Sequence, residues 1–235
     1  MEDNIFIDMY FESEAILLKI DYSEKKSMTT FMNYLENLHS VGDKLRDKFD
    51  CKINNIAEFI ILRIIRNYFH HVEEIREYSM FVDVCDKGIY EHNRHLIISM
   101  KDFAKAIKDF RDNNKIEYVE KQFKIINKFI DYEILNSVDE LSNLPKFTVD
   151  NNNEVLESGI DLFKYVYNIS NIIADRCRNI EVLKNKEVIK NLEETYTEFY
   201  NIPKNDFLCH PNDAPILTTK GFYFPKNIDS IKRVD

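Results

Sequence analysis

The chain has 235 residues and a mass of 28.1 kDa, enough for one large domain or two small ones around a sizeable core. Only 4 glycines and 5 prolines occur beside 44% hydrophobic and 31% charged residues, which excludes collagen-like, linker-rich and disordered chains and argues against a many-turned β-sandwich or barrel. Lys and Arg number 32 against 41 Asp and Glu, a net charge of −9 that excludes a general nucleic-acid coat but not a locally basic cleft.

The first 20 residues carry acids through their apolar stretch and lack the basic start and apolar core of a signal peptide. The strongest apolar run, residues 59–69, is broken by Arg63 and Arg66, so no membrane span is expected and the chain reads as cytoplasmic. Residues 4–20 are a helix or a mixed apolar segment. Over 27–49, Phe31, Tyr34, Leu35, Leu38, Val41 and Leu45 recur at spacings of three and four, the pattern of an amphipathic helix. A long element over 53–83 follows, then a break at Gly88. Residues 95–112 read as helical, with Ser99 and Asp102 spaced like a capping box, although LIIS at its start also suits a short strand.

Asn113-Asn114 interrupts the pattern, and 115–143 resumes it through Ile116, Val119, Phe123, Ile126 and Ile130. Pro145 and the polar run at 150–153 mark a loop, and 154–180 and 184–200 read as two more amphipathic helices. Four of the five prolines lie at or after Pro203, so 203–235 is expected to be a tail, a lid or a small hairpin. The expected fold class is all-α, with a helical domain over 1–202 and an irregular, proline-containing tail over 203–235.

Cys51, Cys85, Cys177 and Cys209 are widely spaced, which fits reduced thiols better than a disulfide framework or a zinc site. His92 and His95 sit three apart, a spacing that suits metal ligation, but no neighbouring acid or cysteine pair completes a set. Cys209-His210 reads as structural, because adjacent residues rarely form a productive nucleophile pair. Arg176, Arg178, Lys184 and Lys186 suit a solvated face better than a nucleic-acid path, and Glu73-Glu74 suit salt bridges better than a metal. No metal or other cofactor is expected. There is no phosphate-cradling glycine loop and no HExxH, so any phosphate must be held by side chains.

Residues 58–78 carry the chemistry. With Arg66 at zero on a wheel of about 100° per residue, Arg63 falls near 60°, Asn67 near 100°, His70 near 40° and His71 near 140°. Ile61, Ile64, Ile65, Tyr68, Phe69, Val72 and Ile75 occupy the opposite side, so one face packs and the other gathers cations, an amide and two imidazoles. Arginine offers a rigid fork that matches a phosphodiester. Histidine exchanges protons near neutral pH, and asparagine can orient either group. Together they suit metal-independent RNA cleavage with the 2′-hydroxyl as nucleophile.

Arg66-Asn67-Tyr68-Phe69-His70-His71 reads RNxxxH and resembles the R-polar-x(3–5)-H signature of the HEPN superfamily of helical proteins. Many of its members are metal-independent endoribonucleases of toxin–antitoxin, abortive-infection and CRISPR-associated systems. The resemblance implies a helical bundle that forms a homodimer, with two motifs sharing one cleft. It also implies an RNA substrate and an antitoxin or regulatory protein as partner. It assigns the scissile phosphate to Arg66, acid–base chemistry to His71 and orientation to Asn67. Subtypes paired with a nucleotidyltransferase antitoxin carry a Tyr two residues after the His; here that position is Glu73.

Helix geometry keeps His70 in contention, since it lies about 40° from Arg66 and His71 about 140° away. Arg63 aligns with His70 as a further substrate-binding cation. The reading from a different class is a non-catalytic helical module whose polar face binds a protein or a nucleotide. An open, concave cleft around Arg66 and His71 favours the nuclease, and intrachain acids capping both favour the module.

Overall fold

A computed structural model describes residues 4–19, 28–71, 77–81, 94–150, 153–204, 216–223 and 228–234. The chain is mostly helical. Its elements are α1 (Ile5–Leu18), α2 (Met28–Phe49), α3 (Ala57–His71), β1 (Glu77–Phe81), β2 (Arg94–Ser99), α4 (Met100–Asp112), α5 (Ile116–Ile126), α6 (Tyr132–Asn136) and α7 (Val138–Leu141). They continue with β3 (Lys146–Thr148), β4 (Gly159–Asp161), α8 (Phe163–Arg178), α9 (Glu181–Lys184), α10 (Glu187–Lys190), β5 (Ile216–Thr218), β6 (Gly221–Tyr223) and β7 (Lys232–Val234). Three small antiparallel sheets accompany the helices, β1-β2-β4, β3-β7 and β5-β6.

The main core joins α1, α2, α3, α4 and α8. All six apolar positions expected on α2 are buried, and on α3 so are Ile61, Ile64, Ile65, Tyr68 and Phe69. Inside this core the Tyr10 and Ser170 hydroxyls lie 2.8 Å apart and those of Tyr10 and Tyr34 lie 3.3 Å apart, linking α1, α2 and α8. Asn168 accepts from the Ile202 N–H at 2.8 Å and donates to its carbonyl at 3.0 Å, which fastens the segment after α10 onto α8. The same amide donates to Glu58 on the first turn of α3, where burial pushes the carboxyl above its ordinary value.

Asparagine does much of the work of ending helices in this glycine-poor chain. Asn114, Asn143, Asn179 and Asn185 each donate a side-chain N–H to the carbonyl four residues earlier, at 2.8 to 3.1 Å. These bonds satisfy carbonyls that a helix end leaves orphaned. Asp50 ends α2 in the left-handed region at φ 48°, its N–H returns to the Arg46 carbonyl at 3.1 Å and the Cys51 N–H to the Leu45 carbonyl at 3.0 Å, an αL-type closure usually built on glycine.

Several predicted boundaries are corrected. The element over 53–83 is helix α3 and then strand β1, whose Tyr78 and Phe81 suit a strand. LIIS is strand, and Ser99 caps α4 by accepting from the Asp102 N–H at 3.4 Å. The helix expected over 115–143 is three helices, with Ile116 exposed at its first position. The segment 154–180 opens with β4, where Gly159 passes so close to β2 that a Cβ there would lie 2.6 Å from Ile97 Cγ2. The helix expected over 184–200 is α9, starting at Glu181, then α10 and a turn of 3-10 helix at Glu198–Tyr200.

Among its described residues, the segment after Pro203 contains the hairpin β5-β6 and the strand β7, which pairs with β3. A second small core of Phe147, Val149 and Leu156 forms there, with Ile216, Tyr223 and Ile231 packed against it. No helix among the described residues is long and apolar enough to cross a membrane.

Candidate active site

The polar face of α3 meets α2 along a seam. Arg66, 17% exposed, sends Nε to Glu36 Oε1 at 3.0 Å and Nη2 to Glu36 Oε2 at 2.8 Å. This is the two-pronged pairing that suits a guanidinium to a carboxylate or a phosphate. Arg66 Nη1 donates to Asn67 Oδ1 at 3.1 Å. His70 Nδ1 lies 3.4 Å from the same Glu36 Oε1, so one carboxylate joins Arg66 and His70. Hydrogen bonding from Arg66 holds the Glu36 carboxyl below its ordinary value against the opposing effect of burial, and the charges of Arg66, His70 and His39 act the same way as the hydrogen bond.

His71, the last residue of α3, is exposed, and its ring meets His70 edge-on at 4.7 Å between centroids. Both imidazoles sit in the last turn, where the helix dipole favours a positive charge. The Arg66–Glu36–His70 grouping follows the small angle between residues 66 and 70 on a regular helix. Arg63 turns the other way. Its Nη2 donates to Tyr118 Oη at 3.1 Å and to Gln122 Oε1 at 3.2 Å on α5, and its guanidinium lies 5.9 Å from the Phe59 ring centre. No carboxylate among the described residues pairs with it. The structure therefore gathers Arg66, Asn67, His70 and His71 and sets Arg63 at their edge.

Glu36 and His39 are the site residues that sequence reasoning did not single out. They lie about 30 residues before Arg66 and carry no motif; only their places next to the buried Leu35 and Leu38 put them beside α3. His39 Nε2 is 3.6 Å from Asp43 Oδ2, continuing the polar seam. Glu73 and Glu74, read from the sequence as salt-bridging acids, lie outside the described residues, and the acid that caps Arg66 is Glu36.

The other singled-out residues take structural parts or fall outside the described residues. His92, Cys85, Cys209 and His210 are in the second group. His95 is buried, with Nδ1 2.7 Å from Asp161 Oδ2 and its ring against Phe222 at 5.1 Å, so it joins β2 to β4 and to the hairpin. Arg176 pairs with Glu198, Arg178 with Asp175, Lys184 with Glu181 and Lys186 with Asp8, a neutralised surface rather than a basic path. Burial raises both described thiols, Cys177 to about 12. Among the described residues no group of three or more His, Cys, Asp or Glu side chains is placed to hold a metal ion.

The cluster can therefore hold an anion at Arg66 and exchange protons at His70 or His71. Comparison with known proteins adds no kinship to this geometry: no family model, curated protein or solved structure matches the chain.

Proposed function

We propose that the chain is a metal-independent endoribonuclease on a HEPN-like helical bundle, acting as a homodimer in a bacterial defence or toxin–antitoxin system. The observation that carries this reading is the gathering of Arg66, Asn67, His70 and His71 on the last two turns of α3, with both imidazoles open to solvent. Arg63, one turn earlier, adds a cation that no described carboxylate neutralises. In this mechanism Arg66 holds the scissile phosphate and Asn67 keeps the guanidinium in place. One histidine takes the proton of the 2′-hydroxyl. The 2′-oxygen attacks phosphorus, the bond from phosphorus to the 5′-oxygen breaks, and a protonated histidine gives that oxygen its proton. Arg66 offsets the negative charge that builds on the phosphoryl oxygens.

The products are a 2′,3′-cyclic phosphate and a 5′-hydroxyl. The test is end-group analysis of RNA cut by the purified protein. Those two termini support the mechanism, and 3′-hydroxyl with 5′-phosphate ends reject it.

A second reading, a non-catalytic helical module that binds a protein or a nucleotide, is favoured by one observation. Glu36 already fills one edge of the Arg66 fork, as an intrachain cap would. A protein that leaves RNA intact but binds a partner through this face fits the module and not the nuclease.

A further inference from the structure

We propose that Glu36 is a built-in ligand of Arg66, occupying the guanidinium edge that an RNA phosphodiester takes, so that substrate binds by exchange with the Glu36 carboxylate. This rests on the ribonuclease reading for the identity of the anion. The two Glu36 oxygens meet Nη2 and Nε at 2.8 and 3.0 Å, the arrangement in which two non-bridging phosphate oxygens meet an arginine. Glu36 Oε1 also lies 3.4 Å from His70 Nδ1, so the carboxylate that a phosphodiester displaces carries the same single negative charge and faces the same two partners.

Exposure tells which partner moves. Glu36 is 41% exposed and Arg66 17%, so the carboxylate is the outer member and can turn into water. Arg66 keeps a second anchor when Glu36 leaves, the contact of Nη1 with Asn67 Oδ1. An ion pair this close to solvent contributes little net stability, so its exchange for a phosphate is inexpensive. Asn67 then has a defined task, holding the guanidinium plane during the exchange. Without RNA, Glu36 keeps the site neutral and closed to weaker anions.

The test measures binding of a non-cleavable 2′-O-methyl RNA oligonucleotide to the full chain by fluorescence anisotropy at fixed salt. The forms compared are wild type, Glu36→Gln, Glu36→Ser, Arg66→Ala and the Glu36→Gln/Arg66→Ala double variant. Glu36→Gln and Glu36→Ser are expected to bind roughly tenfold more tightly, the scale of one strong polar contact. That gain is expected to vanish when Arg66 is Ala. Equal or weaker binding by both Glu36 variants, a gain that survives without Arg66, or no binding by any form overturns the proposal. Cleavage of unmodified RNA is followed in parallel. Tighter binding without cleavage in any form retires the nuclease and keeps the exchange at Glu36; cleavage without tighter binding does the reverse.

Discussion

Glu36 and Arg66 face each other across the α2–α3 seam through two parallel N–H···O contacts of 3.0 and 2.8 Å, joining helices whose contact residues lie 30 positions apart. The pair sits at the edge of the core, where Arg66 is mostly covered and its partner is not.

Glu36 and Glu58 are expected to act on stability with opposite signs in acid. Arg66 holds the Glu36 carboxyl below its ordinary value, so Glu36 contributes stability above about pH 4.5 that is lost as pH falls through its lowered value. Burial raises Glu58, so its contribution is complete below about pH 4.5 and is lost as pH rises through its raised value. Glu58→Gln, which keeps an acceptor for Asn168, is therefore expected to raise the urea midpoint at neutral pH, with the gain fading in acid. Glu36→Gln is expected to lower the midpoint slightly at neutral pH, with the loss fading in acid. Urea titrations on both sides of the carboxylate range check the two signs.

At the end of α2, Asp50→Gly is expected to stabilise. The left-handed backbone at Asp50 costs an L-residue about 1 kcal/mol, roughly 2–4 °C in a chain of this size. The side chain gives up only an exposed contact with Lys52 at 3.3 Å. A calorimetric scan checks this, and Asp50→Ala is expected to show no such gain.

Asp161 anchors the junction of β2, β4 and α8. Its Oδ1 accepts from the Leu96 N–H at 3.0 Å and the Phe163 N–H at 2.9 Å, and its Oδ2 meets His95. Asp161→Ala leaves these donors without their acceptor and is expected to cost about 2–4 kcal/mol. Asp161→Asn keeps an oxygen for the two backbone donors and is expected to cost less than half as much. Chemical denaturation of the two variants side by side measures the difference.

Much of the helical frame was legible because it is local. The six apolar positions of α2 are spaced for one face and all are buried there. Ser99 is legible as a cap from its distance to Asp102. The approach of His70 to the Arg66 cluster follows from 100° steps along one helix. Non-local features were not legible. Tyr78 and Phe81 continue an apolar pattern that suits either period, and only pairing with β2 makes their segment a strand. Ion pairs between helices, such as Glu36 with Arg66, depend on how two faces meet, and neither face carries that register in its own spacing.

Cleavage of total RNA in the presence of a chelator, by wild type beside Arg66→Ala, His70→Ala and His71→Ala, tests the proposed chemistry most directly. Wild type is expected to cut without added metal. Arg66→Ala is expected to lose at least a hundredfold in rate, about 2.7 kcal/mol of transition-state stabilisation, and at least one histidine variant is expected to match it. Cleavage that is unchanged in all three variants, or absent from the wild type, contradicts the assignment of this site.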